Sequence, residues 1–242
     1  MNTVDGLYWK GYEGQDYEQF WRGPAKQYLD ELEHAIVAHA LPGGDSVVEV
    51  GAGFGRLGSS YVGKYRHVHM VEPASNLRAA AERAYGQSVE YHDARVEELP
   101  FPDESIDAVL MVRVFHHLGD PAAAVHEIGR VLKRGGRLVF SYSNKRNLKR
   151  VAAFAVGKAE NPFNDKLEKY YEFLIGHNPR FVESLLESEG FQIREQFGAG
   201  VGDKLVGAAP PIAAVLRPSL FVSRMLGTLK IAPIQFLVAE KR

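Results

Sequence analysis

The 242-residue chain contains no cysteine. Thiolate nucleophiles, disulfides and thiolate metal sites are therefore excluded, whatever the compartment. An excess of charge of either sign is also missing: 29 Lys and Arg face 30 Asp and Glu, for a formal net charge of -1 and a pI of about 6.8. No overall positive field exists to draw in a phosphate backbone, so nucleic acid is not an expected partner. Long apolar runs are absent too. Stretches such as 212–216 and 234–239 fall far short of the roughly 20 residues that span a bilayer. No basic stretch followed by an apolar run opens the chain, so nothing reads as a secretory signal and a cytoplasmic location is expected.

What is present is the composition of a folded enzyme-sized domain, 45% hydrophobic and 24% charged, which argues against a disordered or fibrous chain. An aromatic-rich start (Tyr8, Trp9, Tyr12, Tyr17, Phe20, Trp21) precedes a helical segment in which Leu29, Leu32, Ile36 and Val37 recur at helical spacing. Pro24 suits the first turn of that helix, and Pro42-Gly43-Gly44 closes it. The pattern then changes. Val47-Val48-Glu49-Val50 reads as a buried strand, followed at once by glycines and a helix over 56–64. Strands at 68–71, 89–92, 106–112 and 137–142 alternate with helices at 75–85 and 121–133. A helix at 179–188 and strands at 191–197 and 233–239 follow. Such alternation predicts an α/β fold, a Rossmann-like doubly wound sheet of seven mostly parallel strands with an antiparallel last strand.

Gly51-Ala52-Gly53-Phe54-Gly55 sits between the first strand and the element after it. Glycines let the backbone turn tightly and approach a ligand with no side chain between. Glu72 ends the next strand, where an acidic side chain can accept hydrogen bonds from both hydroxyls of a ribose. A nicotinamide dinucleotide site is the competing reading, as in an NAD(P)-dependent oxidoreductase. It wants a third glycine at the sixth position of the motif, where this chain has Arg56. A noncatalytic binding protein for the same nucleotide-like ligand is a further alternative.

The G-x-G-x-G spelling, with Glu49 two residues before it, resembles motif I of class I S-adenosylmethionine-dependent methyltransferases. The resemblance extends over about 46–142. Leu99-Pro100-Phe101-Pro102-Asp103 with Ile106-Asp107-Ala108-Val109, then 113–118 with Asp120-Pro121, and Leu132-Lys133-Arg134-Gly135-Gly136, are similar to consecutive stretches of the type 11 subgroup, which includes quinone-biosynthesis methyltransferases. Arg134 stands where proline is usual.

The resemblance implies S-adenosylmethionine as cofactor. It places Glu49 near the methionine end, with Gly51, Ala52, Gly53 and Gly55 forming the turn. Glu72 and Pro73 then fall at the ribose, Asp93 and Ala94 at the adenine, and Arg113 joins them as a cofactor-binding residue. The length predicts one domain over 1–242, divided into a lid and helix (1–44), a cofactor-binding core (45–145), and substrate-side helices, insertion and final strands (146–242). The reaction expected is in-line methyl transfer to a small-molecule acceptor, apolar ones included.

An acceptor that must lose a proton needs a base, and His116, after the fourth strand, is the candidate over its neighbour His117. His67, His69 and His92 read as structural, and no His, Asp or Glu spacing resembles a metal site, so no metal is expected. The basic group Lys145, Arg146, Lys149 and Arg150 reads as a solvated face. The segment 198–232 is longer than a hairpin needs and reads as core packing or, among functional options, as a wall over an apolar acceptor ahead of a membrane or subunit contact. Within it, 219–230 reads as helix, and 210–230 is the one stretch suited to peripheral contact with a membrane surface.

Overall fold

The computed structural model describes residues 14, 17–164, 168–171, 174–201 and 219–242. A short 3-10 turn, Tyr17–Trp21, leads into α1 (Pro24–Ala40). The chain continues through β1 (Gly44–Val50), β2 (Tyr65–Val71), α2 (Ser75–Tyr85), β3 (Glu90–His92), β4 (Ile106–Met111), α3 (Pro121–Val131) and β5 (Leu132–Ser143). After these come α4 (Leu148–Ala155), a two-stranded ribbon of β6 (Glu168–Tyr171) and β7 (Leu174–Gly176), α5 (Pro179–Ser188), β8 (Phe191–Ala199), α6 (Leu220–Thr228) and β9 (Ile234–Lys241).

Seven strands form one sheet in the order β3-β2-β1-β4-β5-β9-β8. The pairings from β3 to β5 are parallel, and β9 runs antiparallel to both its neighbours. The expected mostly parallel sheet with an antiparallel last strand is what the chain forms. Both faces are covered, which is why the central strands are apolar on consecutive positions rather than on alternate ones. On one face Val48, Val50 and Val71 pack with Val125 and Ile128 of α3 and Val182 and Leu186 of α5. On the other, Val47, Val68 and Met70 pack with Leu29, Leu32, Ile36 and Val37 of α1.

Local chemistry sets the element ends. Asp120 caps α3 by accepting the Ala122 and Ala123 N–H groups, with Pro121 in the first turn. Asn178 caps α5 in the same way through the Arg180 N–H, followed by Pro179.

Two sequence expectations fail here. The stretch 56–64 is a run of tight turns around a 3-10 segment, Gly58–Ser60, and not a helix. Gly58 lies against the Tyr85 ring, where a Cβ would come within 2.6 Å, and Gly63 has φ +86°, so glycines serve close packing and chain reversal at the cost of helix. Lys145 is the second case: it is 1% exposed, with its Nζ donating to Asn164 Oδ1 at 2.7 Å, so the basic group after β5 is not wholly a solvated face.

Of the long segment 198–232, residues 202–218 lie outside those described, as do Tyr8, Trp9 and Tyr12. The helix expected at 219–230 is α6, capped by Ser219. It lies on β8, with Gly227 against the Phe197 backbone and the Ser223 hydroxyl donating to the Gly198 carbonyl. Phe221, Val222, Met225 and Leu229 are exposed. Among the described residues, no helix is long and apolar enough to cross a membrane.

Candidate cofactor site

The carboxyl ends of β1, β2 and β4 open into a cleft enclosing about 1050 Å³ of non-protein space, open solvent at its mouth included. This is where ligands of open α/β sheets bind. Its floor is the turn after β1. Gly51, Gly53 and Gly55 have φ of +66°, +58° and +78°, the left-handed region that side chains resist. The turn is tied to β2 because the Gly51 and Ala52 N–H groups both donate to the Val71 carbonyl. A Cβ on Gly51 would meet Val114 at 2.3 Å, whereas one on Gly53 would meet nothing within 4 Å. Gly51 is thus a packing glycine, and Gly53 presents bare backbone to the cleft.

Glu72 follows β2 and is 7% exposed. Its Oε2 accepts the Gly53 N–H at 2.8 Å and its Oε1 accepts the Ala74 N–H at 2.9 Å. Burial raises its pKa, only partly countered by those two N–H groups. Glu49, 3% exposed, accepts the Tyr61 hydroxyl proton, and burial pushes its pKa up to about 7. Pro73 and Ala94 also line the cleft. Asp93 does not line it. Its carboxylate is held by Arg78 at 3.0 Å and is 68% exposed, while its neighbours Ala94, Arg95, Val96 and Glu97 form that wall.

Arg113 lines the opposite wall with φ +63°, and its N–H donates to Ser141 Oγ. Its guanidinium reaches back to α1, where Nε and Nη2 donate to Glu33 Oε1 at 3.0 and 2.6 Å. Arg56 donates to the other oxygen of Glu33 at 2.6 Å and to Asp30. Glu33 is fully buried. Burial alone would raise its pKa, but the two guanidiniums overcome this and hold it low. The Trp21 ring lies over this pair, 3.7 Å from Arg56 Cζ and 5.0 Å from that of Arg113. Tyr17 and Trp21 thereby become cleft walls. Sequence reasoning found the aromatic residues but missed Glu33 and Arg56, which anchor them.

The 3-10 turn Phe115–His117 turns its two histidines different ways. His117 lines the cleft. His116 lies beneath, 7% exposed, with its pKa well below the usual value because of burial and the neighbouring His117 and Arg113. The base expected at His116 is therefore not on the cleft wall. None of the described residues of α6 lines the cleft either, so the acceptor wall expected there is not found among them.

Comparison with known proteins gives a consistent result. Residues 48–140 match the family model described as "Methyltransferase domain". An uncharacterized methyltransferase of Geobacillus thermodenitrificans (strain NG80-2) is 25% identical over 187 residues, covering 74% of this chain and 85% of the relative. Dimethylglycine N-methyltransferase of Parasynechococcus marenigrum (strain WH8102) is 33% identical over 156 residues, covering 54% of this chain and 55% of the relative. Among solved structures, a SAM-dependent methyltransferase from Thermotoga maritima superposes with a TM-score of 0.64 at 19% identity, over 97% of this chain and all of the other, which speaks to the fold. With the glycine turn, Glu72 and the sheet order in place, residues 48–140 carry a methyltransferase domain of the S-adenosylmethionine-dependent kind.

Proposed function

We propose that this enzyme methylates a small-molecule acceptor of largely apolar character by in-line displacement, with both reactants in the cleft at the carboxyl ends of β1, β2 and β4. The observation that carries this reading is the shared cleft: Gly53 and Glu72 on one side, His117, Val114 and Leu118 on the other, with Tyr17 and Trp21 completing the wall. The residues fit the cofactor. Gly53 leaves room beside its backbone, and two buried carboxylates flank the glycine turn, Glu49 just before it and Glu72 against its middle.

In this reading Glu72 and Pro73 hold the ribose, Ala94 and the backbone near Asp93 flank the adenine, and Glu49 faces the methionine end, with Gly51, Ala52 and Gly55 shaping the turn. Arg113 works through Glu33 to fix the aromatic wall. S-adenosylmethionine supplies a methyl group on a cationic sulfur that leaves as a neutral thioether. The protein's task is to orient the acceptor and exclude water. Where the acceptor loses a proton, His117 takes it, and His116 packs beneath and steadies that ring, their centroids 4.1 Å apart. The three-part division into lid (1–44), cofactor core (45–145) and substrate side (146–242) belongs to the same proposal. The dimethylglycine enzyme is named for a small polar acceptor and so supports a small molecule as substrate, while the apolar character rests on the residues lining the cleft.

Incubation with methyl-labelled S-adenosylmethionine and a fractionated cell extract tests it. Label should enter a low-molecular-mass product identifiable by mass, and the Glu72→Ala enzyme should lose it. Label found only in protein or nucleic acid would overturn the proposal.

A further inference from the structure

Away from the cleft, at the β2–β3 edge of the sheet, three side chains converge that the methyl-transfer reading does not use. In the parallel register His69 is paired with Glu90, and Val71 with His92. Because side chains alternate across a strand, His69, Glu90 and His92 all stand on the face that Val48, Val50 and Val71 occupy further in. The apolar face therefore changes at its edge to two imidazoles and a carboxylate.

Their ligating atoms lie close together. His69 Nδ1 is 3.2 Å from His92 Nε2 and 3.5 Å from Glu90 Oε2, and all three atoms are within 4.8 Å of one another. A tetrahedral ion with bonds of about 2.0–2.1 Å separates its ligands by about 3.3 Å, so two edges of the triangle already have the needed length. The Phe101 ring packs 5.0 and 5.1 Å from the two imidazoles, restricting them, while the Glu90 side chain is 65% exposed and gives an ion a way in. We propose that His69, Glu90 and His92 form a binding site for a divalent transition-metal ion of the zinc class. Two imidazoles and one carboxylate suit zinc over magnesium or calcium, which prefer all-oxygen sites. Without an ion, the two rings share one N–H···N hydrogen bond.

A bound ion would pin the three-residue strand β3 to β2. That strand also supports the cofactor site, since the His92 carbonyl accepts the Glu72 N–H at 3.0 Å. The consequence is structural, and zinc binding does not depend on methyl transfer.

Calorimetric titration of the tag-free, chelator-treated protein with zinc chloride tests the site. One ion per chain should bind, and His69→Ala and His92→Ala should each weaken it at least about tenfold. His126→Ala, remote from the cluster and paired with Glu189, should bind zinc as wild type does. Should an alanine variant not fold by circular dichroism, the wild-type spectrum with cobalt(II) and the surface variant Glu90→Gln serve instead. Visible d–d bands of a nitrogen-ligated low-coordinate ion, weakened by Glu90→Gln, are expected. No saturable zinc binding by the wild type, unchanged binding in a folded His69→Ala/His92→Ala protein, or cobalt bands that Glu90→Gln leaves unchanged would overturn the proposal.

Discussion

Glu72 Oε2 accepts the Gly53 N–H at 2.8 Å, joining the end of β2 to the middle of the glycine turn. One carboxylate thus sets the turn's shape and lines the cleft with its remaining lone pairs. Glu72→Ala is expected to weaken S-adenosylhomocysteine binding by about 1.5–3 kcal/mol, the scale of hydrogen bonds to a charged group. Glu72→Gln should lose less. Calorimetry on both variants checks this; wild-type affinity in Glu72→Ala would remove Glu72 from the ribose.

The fully buried Glu33 carboxylate satisfies Arg56 and Arg113 together. Glu33→Ala would leave two guanidiniums without it, and removing one partner of a buried pair costs about 3–5 kcal/mol. Urea denaturation should show that loss at pH 7. Since the folded-state pKa is lowered, this stabilisation is present above the unfolded-state pKa and is lost as pH falls through the folded one. A gap between wild type and variant that did not narrow in acid would contradict the ion-pair account.

Glu49 has the opposite sign. Its pKa is raised to about 7 by burial, so the stability it contributes is complete below the unfolded pKa and lost as pH rises towards 7. Glu49→Gln should therefore stabilise the ligand-free protein at pH 8, by up to roughly 3 kcal/mol, and leave it nearly unchanged at pH 4. If Glu49 faces the cationic methionine end, the wild type should also bind S-adenosylmethionine about tenfold more tightly at pH 8 than at pH 6. A flat affinity profile would place that ammonium elsewhere.

His117 lines the cleft and His116 does not. With an acceptor that must lose a proton, His117→Ala should lower kcat about 100-fold or more, a typical general-base contribution, with cofactor affinity kept. Its acidic limb in the pH–rate profile should disappear. Steady-state kinetics across pH measures both, and an unchanged limb would exclude His117 as the base.

The sheet was legible because strand and helix signals are local: the helices at 75–85 and 179–188 lie where their spacing puts them. The glycine turn and Glu72 were legible for the same reason, each marked by its place at a strand end. Glu33 was not. It follows Leu32 in an amphipathic helix, and its partners Arg56 and Arg113 lie 23 and 80 residues away. Adjacent histidines at 116 and 117 look equivalent in sequence, and only the 3-10 turn separates one from the cleft. His69 and His92 read as structural in the sequence because they lie within or beside strands, and strand register decides whether they meet.

The most direct test of the account is calorimetric titration of S-adenosylhomocysteine into wild-type and Gly53→Val protein, with folding checked by circular dichroism. A Cβ at Gly53 would meet nothing within 4 Å, so the variant's main effects should be local strain at φ +58° and a side chain standing in the cleft. The account predicts one site on the wild type and no measurable binding to the folded variant. Wild-type affinity in folded Gly53→Val would contradict it.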